Sequence, residues 1–497
     1  MNIRFPFLAS LFILSLASCA DQIAQSPAAT TNPATPAPAD IQPSEPAPDA
    51  KPQPAPPDLL QEKTVEAILK SSAFMRSIST HGGYLWEYTL DLKKRWGEGT
   101  ATEMQIWVQP PGTPSVGQAL LRAYRATGKP EMLDHARAAG YALAWGQLPV
   151  GGWKYSIDFA SFDPANPAPP RNAEMKKLAG SAEALRGLYE KLQGGTFDDD
   201  TTQSALRFLM DLDKELDEEW LDRAIKDGLE FILKAQYPNG GWPQIFPLCG
   251  GYHDYYTFND SAMNDCIDVM LMANTLYGDD RFLQSARKAG DFIILSQCKP
   301  PQTGWAQQYD MNIQPAWART FEPPAVCSLN ASTNIRTLVD LYLYTGESRY
   351  LEPIPAAIDW LNRSSLPNGV WARYYEIGTN RPFYCDRDRR IVYNVEELGE
   401  ERRYGYSWHG EYGVAGAIAY YTRVKEQGRD AYLAERDREP SQERRKSKTE
   451  SLSPGVNNII AAMDEQGRWV NKDRIRCADF CRNINALCEY LELSKQP

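Results

Sequence analysis

Apolar residues recur along this chain at intervals of three and four. In Leu133–Trp145, Leu221–Leu233 and Leu283–Leu295 they fall at i, i+3, i+4 and i+7. That spacing lays one apolar stripe along a helix. The second of these patterns runs on to Gln236, and another covers Ala262–Leu276. Strict alternation, the mark of strands, is scarce. Two kinds of turn punctuate the helical stretches. One ends in glycine: Arg125-Ala126-Thr127-Gly128, Leu276-Tyr277-Gly278 and Tyr344-Thr345-Gly346, with Leu133, Leu283 and Leu351 each following at the same interval. The other joins glycine to an aromatic: Gly82-Gly83-Tyr84-Leu85-Trp86, Gly151-Gly152-Trp153, Gly240-Gly241-Trp242, Gly304-Trp305, Gly369-Val370-Trp371 and Gly467-Arg468-Trp469.

The pattern predicts a helix, a glycine-terminated turn, a second helix and then the Gly-Trp turn. A unit of roughly 65 to 95 residues holding two helices implies stacked helical hairpins. The expected fold class is all-α: an (α/α) toroid of hairpins joined by Gly-Trp turns, with an open solenoid as the alternative. A large apolar indole suits most of these turns to core packing rather than chemistry.

The two ends of the chain depart from this pattern. Residues 1–19 hold Arg4, an apolar run from Phe5 to Leu16, and Leu16-Ala17-Ser18-Cys19. This reads as a lipoprotein signal with a lipobox, Cys19 being the lipidated residue. Ala20 rather than Asp follows the cysteine, so the expectation is an outer-membrane lipoprotein of a Gram-negative bacterium, on its periplasmic or surface face. Residues 20–57 are rich in Pro and Ala and read as a disordered tether. Residues 58–150 read as an N-terminal helical extension of the toroid, and residues 151–497 as its main domain. Within the latter, 435–453 is dense in charges of both signs and reads as a surface insertion.

Composition narrows the function. A hydrophobic content of 43% with 11% aromatic residues suits a globular body, and a net charge of −11 argues against nucleic acid as a partner. A monomer is expected. The 9 cysteines include Cys19, and buried free thiols are the expected state for most of the others. With 4 histidines, a histidine-based triad or metal site is disfavoured. No phosphate-binding loop, dinucleotide motif or GxSxG elbow occurs. What remains near the turns is Asp and Glu with Arg, Tyr and Trp. Carboxylates hold hard cations, Arg pairs with sugar carboxylates, and aromatic faces stack on sugar rings.

The densest such stretch is YPNGGWPQIFPLCGGYHDYYTFNDSAM at 237–263. With TFDDDTT at 196–202, WAQQYD at 305–310, AWARTFEPP at 316–324, WARYYEIGTNRP at 371–382, GYSWHG at 405–410, GRWV at 467–470 and CRNINALCEYL at 481–491, it resembles the polysaccharide lyases of family 10, the pectate lyases. The likeness starts at Gly151-Gly152-Trp153-Lys154. It implies calcium-assisted β-elimination of polygalacturonate. By the resemblance, Asp260 and Asp310 frame Ca2+ and Arg381 is the proton-abstracting base. Asn259 orients substrate or metal, and Arg319, Arg468, Arg482 and Lys154 bind the sugar carboxylates. Asp199 stands where the family usually has Asn, Tyr309 where His is common, and Ala325–Arg336 diverges.

Other classes stay open on the residues alone. A glycoside hydrolase of the same toroid class would use carboxylates from among Asp198, Asp200, Asp254 and Glu376. A surface glycan-binding lipoprotein without activity would keep the binding residues only. Lys226-Asp227-Gly228 through Trp242 approaches the Gln-Trp repeat of triterpene cyclases, without their acidic motif.

Overall fold

The computed structural model describes residues 57–160 and 194–495. The signal and lipobox with Cys19, all but the end of the tether, and residues 161–193 lie outside the described residues.

The helices follow the periodicity. α1 is Pro57–Ile78, α2 Thr113–Thr127 and α3 Pro130–Gly146. α4 is Thr201–Leu212, α5 Glu219–Ala235, α6 Ala262–Tyr277 and α7 Asp280–Ser296. α8 is Ser328–Thr345, α9 Ile354–Ser364, α10 Val414–Gln427 and α11 Arg429–Arg436. α12 is Gln442–Ala461 and α13 Cys477–Ser494. Residues 435–453 fall across the end of α11 and the first half of α12, which buries only Val456.

These helices form an (α/α) toroid. An inner series packs in the order α13, α2, α4, α6, α8, α10, while α3, α5, α7 and α9 lie outside as the return limbs of hairpins. The inner and outer sequences differ for that reason. α4 has neighbours on every side and buries every residue from Thr201 to Leu212 except Arg207. α5 buries one stripe, Leu221, Ala224, Ile225, Gly228, Leu229, Phe231 and Ile232, and turns its charges to water. α1 packs on α12 and α13.

Both predicted turn types form. Gly128, Gly278 and Gly346 end α2, α6 and α8 in the left-handed conformation, their N–H groups donating to the Tyr124, Asn274 and Tyr342 carbonyls. The Gly-Trp turns close the outer helices. The Trp153, Trp242, Trp371 and Trp469 indoles donate to the Leu143, Ile232, Leu361 and Ile459 carbonyls, each ten residues back, at 2.8 to 2.9 Å. Each indole thus satisfies a carbonyl in the last turns of a helix while filling the core. Gly240 has φ +99°, and a Cβ there would lie 2.0 Å from the Lys288 carbonyl oxygen; backbone and indole share one tight corner.

Short antiparallel ribbons follow the turns. Thr196 pairs with Ile245, Thr257 with Gln308, Cys327 with Tyr374 and Ile106 with Ile157. Each ribbon fixes the loop that enters the next inner helix. The eight described cysteines are unpaired, and Cys249 is the exposed one.

Candidate active site

The repeat places one residue per turn in an equivalent position. Two residues after Trp153, Trp242, Trp305 and Trp371 come Tyr155, Gln244, Gln307 and Arg373. Their carbonyls accept from the N–H groups of Val108, Phe197, Phe258 and Ser328, each at the entry to an inner helix or its loop. The side chains of these four residues line one polar site.

Two entry loops share a fold. Phe197-Asp198-Asp199-Asp200-Thr201 and Phe258-Asn259-Asp260-Ser261-Ala262 each make a short 3-10 turn that contains two successive left-handed residues. The angles match: φ 49° and 58° at Asp199 and Asp200, 46° and 60° at Asp260 and Ser261. The Gln203 amide donates to the Phe197 carbonyl and the Asn330 amide to that of Phe258, at 2.8 and 2.7 Å. The two loops touch. One carboxylate oxygen each from Asp198, Asp199 and Asp260 lies within 4.8 Å of the others.

One oxygen of each of these carboxylates is already engaged by a neutral donor. Tyr155 Oη donates to Asp198 Oδ2 at 2.8 Å, Gln109 Nε2 to Asp199 Oδ2 at 2.9 Å, and Asn259 Nδ2 to Asp260 Oδ2 at 2.5 Å. Asp198 Oδ1, Asn259 Oδ1 and Gln244 Oε1 are buried without a hydrogen-bond partner. Burial, then the charges of Asp260 and Asp198, push the Asp199 carboxyl up to about 8. Burial, then Asp198, pushes Asp260 up to about 6 against the pull of Arg373 and Arg319. Burial also raises Asp198. Three crowded carboxylates and orphaned oxygens form an all-oxygen donor set, the chemistry that fits a hard cation such as Ca2+.

Arg319 is the guanidinium whose charge reaches all three carboxylates. Its Nε and Nη2 donate to Glu322 Oε2 and Oε1 at 2.8 and 2.6 Å, which leaves Nη1 outside the fork. Burial opposes the Glu322 charge, but the Arg319 fork outweighs it and holds the carboxyl below its usual range. Arg373 is buried at 7% exposure. Its guanidinium lies 4.5 Å from the Tyr406 ring centre, its Nη2 donates to Gln307 Oε1 at 3.3 Å, and its Nε has no partner. Tyr406 and Tyr374 continue this polar wall, Tyr406 Oη reaching Glu322 Oε1.

The sequence-predicted residues divide. Asp260, Asn259 and Arg319 meet at this site. Lys154 is half-buried beside Tyr155, and burial lowers its pKa. Asp310 stands outside the carboxylate cluster: its Oδ1 accepts from the Asn312 and Gln314 amides in an exposed turn. Arg381 is exposed and stacks on Tyr393, 3.7 Å from the ring centre. Arg468 pairs with Asp464 and Arg482 with Asp479, on the α12–α13 hairpin. Tyr309 is a core residue whose hydroxyl accepts from the Ala306 amide. Of the hydrolase candidates, Asp198 joins the cluster, Asp200 pairs with Arg207, Asp254 accepts the Cys249 and Gly250 amides, and Glu376 accepts from Thr379 and Tyr393.

Sequence reading missed Asp199 as a member of the cluster, and with it Gln109, Tyr155, Gln244, Gln307, Glu322 and Arg373. Two signals were present in the chain. TFDDDTT and TFNDSAM are one loop written twice, and the position two after each repeat Trp is polar.

Comparison with known proteins places the chain in a family. A family model described as pectic acid lyase matches residues 170–370 and 365–415. Among solved structures, a family 10 polysaccharide lyase from Cellvibrio cellulosa is 23% identical, covering 62% of this chain and 97% of its own, at a TM-score of 0.45. A mutant of that enzyme in complex with trigalacturonic acid gives 23% identity, 63% and 98% coverage and 0.46. The GH76A α-1,6-mannanase from Salegentibacter sp. HEL1_6 gives 11% identity, 87% and 100% coverage and 0.40. No curated protein matches. Over residues 170–415 the chain belongs to the pectic acid lyase family, and the enzyme is a polysaccharide lyase.

Proposed function

We propose that this protein cleaves polygalacturonate, or a closely related uronan, by calcium-assisted β-elimination at the site of Asp198, Asp199 and Asp260. The observation that carries this reading is the three-carboxylate cluster flanked by Arg319 and Arg373. A bound calcium supplies a counter-charge for the uronate carboxylate and for the anion that develops at C5. Asp198, Asp199 and Asp260 would hold it, with the Asn259 and Gln244 oxygens at hand.

The remaining work falls to arginine. A uronate carboxylate brought to this acidic pocket needs positive partners, and Arg319 and Arg373 supply them. The proton at C5 needs an acceptor close to the cluster. Arg381, the expected base, stands on Tyr393 at the surface. Arg319 is better placed, because Glu322 takes two of its nitrogens and leaves Nη1 for the substrate. The Glu322 hydrogen bonds and charge raise its pKa, so it must first release a proton to water before it accepts the one from C5. The lipid anchor at Cys19 and the outer-membrane location belong to the same proposal: a tethered enzyme that meets a polymer outside the inner membrane. Among the described residues no helix is long and apolar enough to cross a membrane.

The test is the ultraviolet absorbance of the unsaturated product during reaction with polygalacturonate, with calcium and then with excess chelator. A calcium-dependent rise is expected. A polymer that shortens with no rise would assign hydrolysis instead, and binding without shortening would assign a glycan-binding protein. Arg319→Ala should lower turnover by at least about 100-fold, the usual scale for a lost proton-transfer group, and Arg381→Ala by far less. The reverse order would return the base to Arg381.

A further inference from the structure

Asp200 is the acid of the 198–200 run that stays out of the cluster. It is the second of the two left-handed residues in its loop, at φ 58°. Its Oδ1 accepts from Nη2 of Arg207, and among the described ion pairs Arg207 is its only partner. Arg207 is also the one residue of α4 that is not buried. It occupies a polar space inside the ring, with its Nη1 3.9 Å from Asp265 and the Asp268 charge also acting on it.

The sister loop lacks this device. Ser261 takes the place of Asp200 there, and that loop carries one cluster carboxylate, Asp260. The loop of Asp200 carries two adjacent ones, Asp198 and Asp199, which repel each other. Two successive left-handed residues without glycine are unfavourable on their own. A rigid guanidinium on α4 that grips Asp200 supplies an anchor for that backbone.

We propose that Arg207 is a positioning residue: through Asp200 it locks the left-handed loop so that Asp198 and Asp199 face Asp260. This rests on the reading of the cluster as a calcium site. The sign of the effect separates it from simple electrostatics. Loss of a positive charge near a cation site strengthens cation binding, whereas loss of the anchor weakens it.

Calorimetric titration of the whole protein with calcium tests this, with circular dichroism and a thermal melt showing each variant folded at the working temperature. Arg207→Gln should bind calcium about 10 to 100-fold more weakly than wild type, the scale of a lost outer-shell partner. Arg207→Lys keeps the charge without the planar fork and should recover part of that loss; it carries the test if Arg207→Gln does not fold. In the double variant with Asp200→Asn, the loss should be no greater than that of the weaker-binding single variant. Calcium binding by the folded Arg207 variants as tight as wild type, or tighter, overturns the proposal and leaves the calcium reading intact, provided Asp260→Ala abolishes binding. A wild-type protein that binds no calcium overturns both.

Discussion

Asp199 and Asp260 occupy the same corner of a repeated loop, yet their substitutions should differ in outcome. Three carboxylates within 4.8 Å repel one another whenever no cation is present, and Asp199 feels this most among the groups with printed values, pushed up to about 8. Asp199→Asn keeps the side-chain shape and its tolerance of the left-handed region. Near pH 7 the folded, calcium-free site must hold a proton on Asp199 that the unfolded chain releases. The amide removes that cost, so the calcium-free variant should melt a few degrees higher, and turnover should survive because the amide keeps an oxygen donor. Asp260→Asn removes a charge that Arg319 and Arg373 both face, and turnover should vanish. A melting scan in chelator and an initial-rate assay in calcium check the pair. Equal losses of turnover at the two positions would mean that the cation needs the charge of both carboxylates.

At the scale of the element, the hairpin is held at its turn. Each repeat Trp fills the core and donates to a carbonyl near the end of an outer helix. Trp242→Phe keeps much of the apolar contact and loses the donor, leaving the Ile232 carbonyl unpaired. The expected cost is about 1–3 kcal/mol, read as a lower urea midpoint with an unchanged slope. Gly240→Ala should cost more, because the added methyl meets the Lys288 carbonyl and φ is positive. This much was legible beforehand. The spacing of Leu221–Leu233 and Leu283–Leu295 marked the outer helices, and the recurring Gly-Trp marked their ends. The ribbons were not legible, since strands of two or three residues are too short to show alternation.

Across the whole molecule, charge is distributed against its net sign. The chain carries −11, yet arginines gather around the site, with Arg387 and Arg402 on the Phe321 ring near Arg319. Glu322 and Glu401 pair with these arginines, and under the proposed function an acidic polymer would meet them beside the carboxylate cluster. Inside the ring the balance is the opposite. Burial and the Asp340 charge push Asp268 up to about 7, and burial pushes Asp340 up to about 6 despite the Tyr420 hydrogen bond. Unfolded, both titrate near 3.8. Between these values the folded chain holds the extra protons, so this contribution to stability is present at low pH and is lost as pH rises through about 6 to 7. Asp268→Asn should raise the melting temperature at pH 8 more than at pH 5. An equal effect at both would show that Asp268 is ionised throughout.

The family resemblance grouped Asp260, Asn259 and Arg319, whereas the sequence by itself determined the helical hairpins, their glycine caps and the Gly-Trp corners. Those features are local: a periodicity, a positive φ, a short motif. Only the tertiary structure decided that Asp198 and Asp199 meet Asp260, while Asp310 closes a turn and Arg468 and Arg482 pair on another hairpin. The physical reason is the ring. It brings together loops some sixty residues apart, at a distance set by inner-helix packing, and a carboxylate's role follows from which other charges that packing leaves within reach.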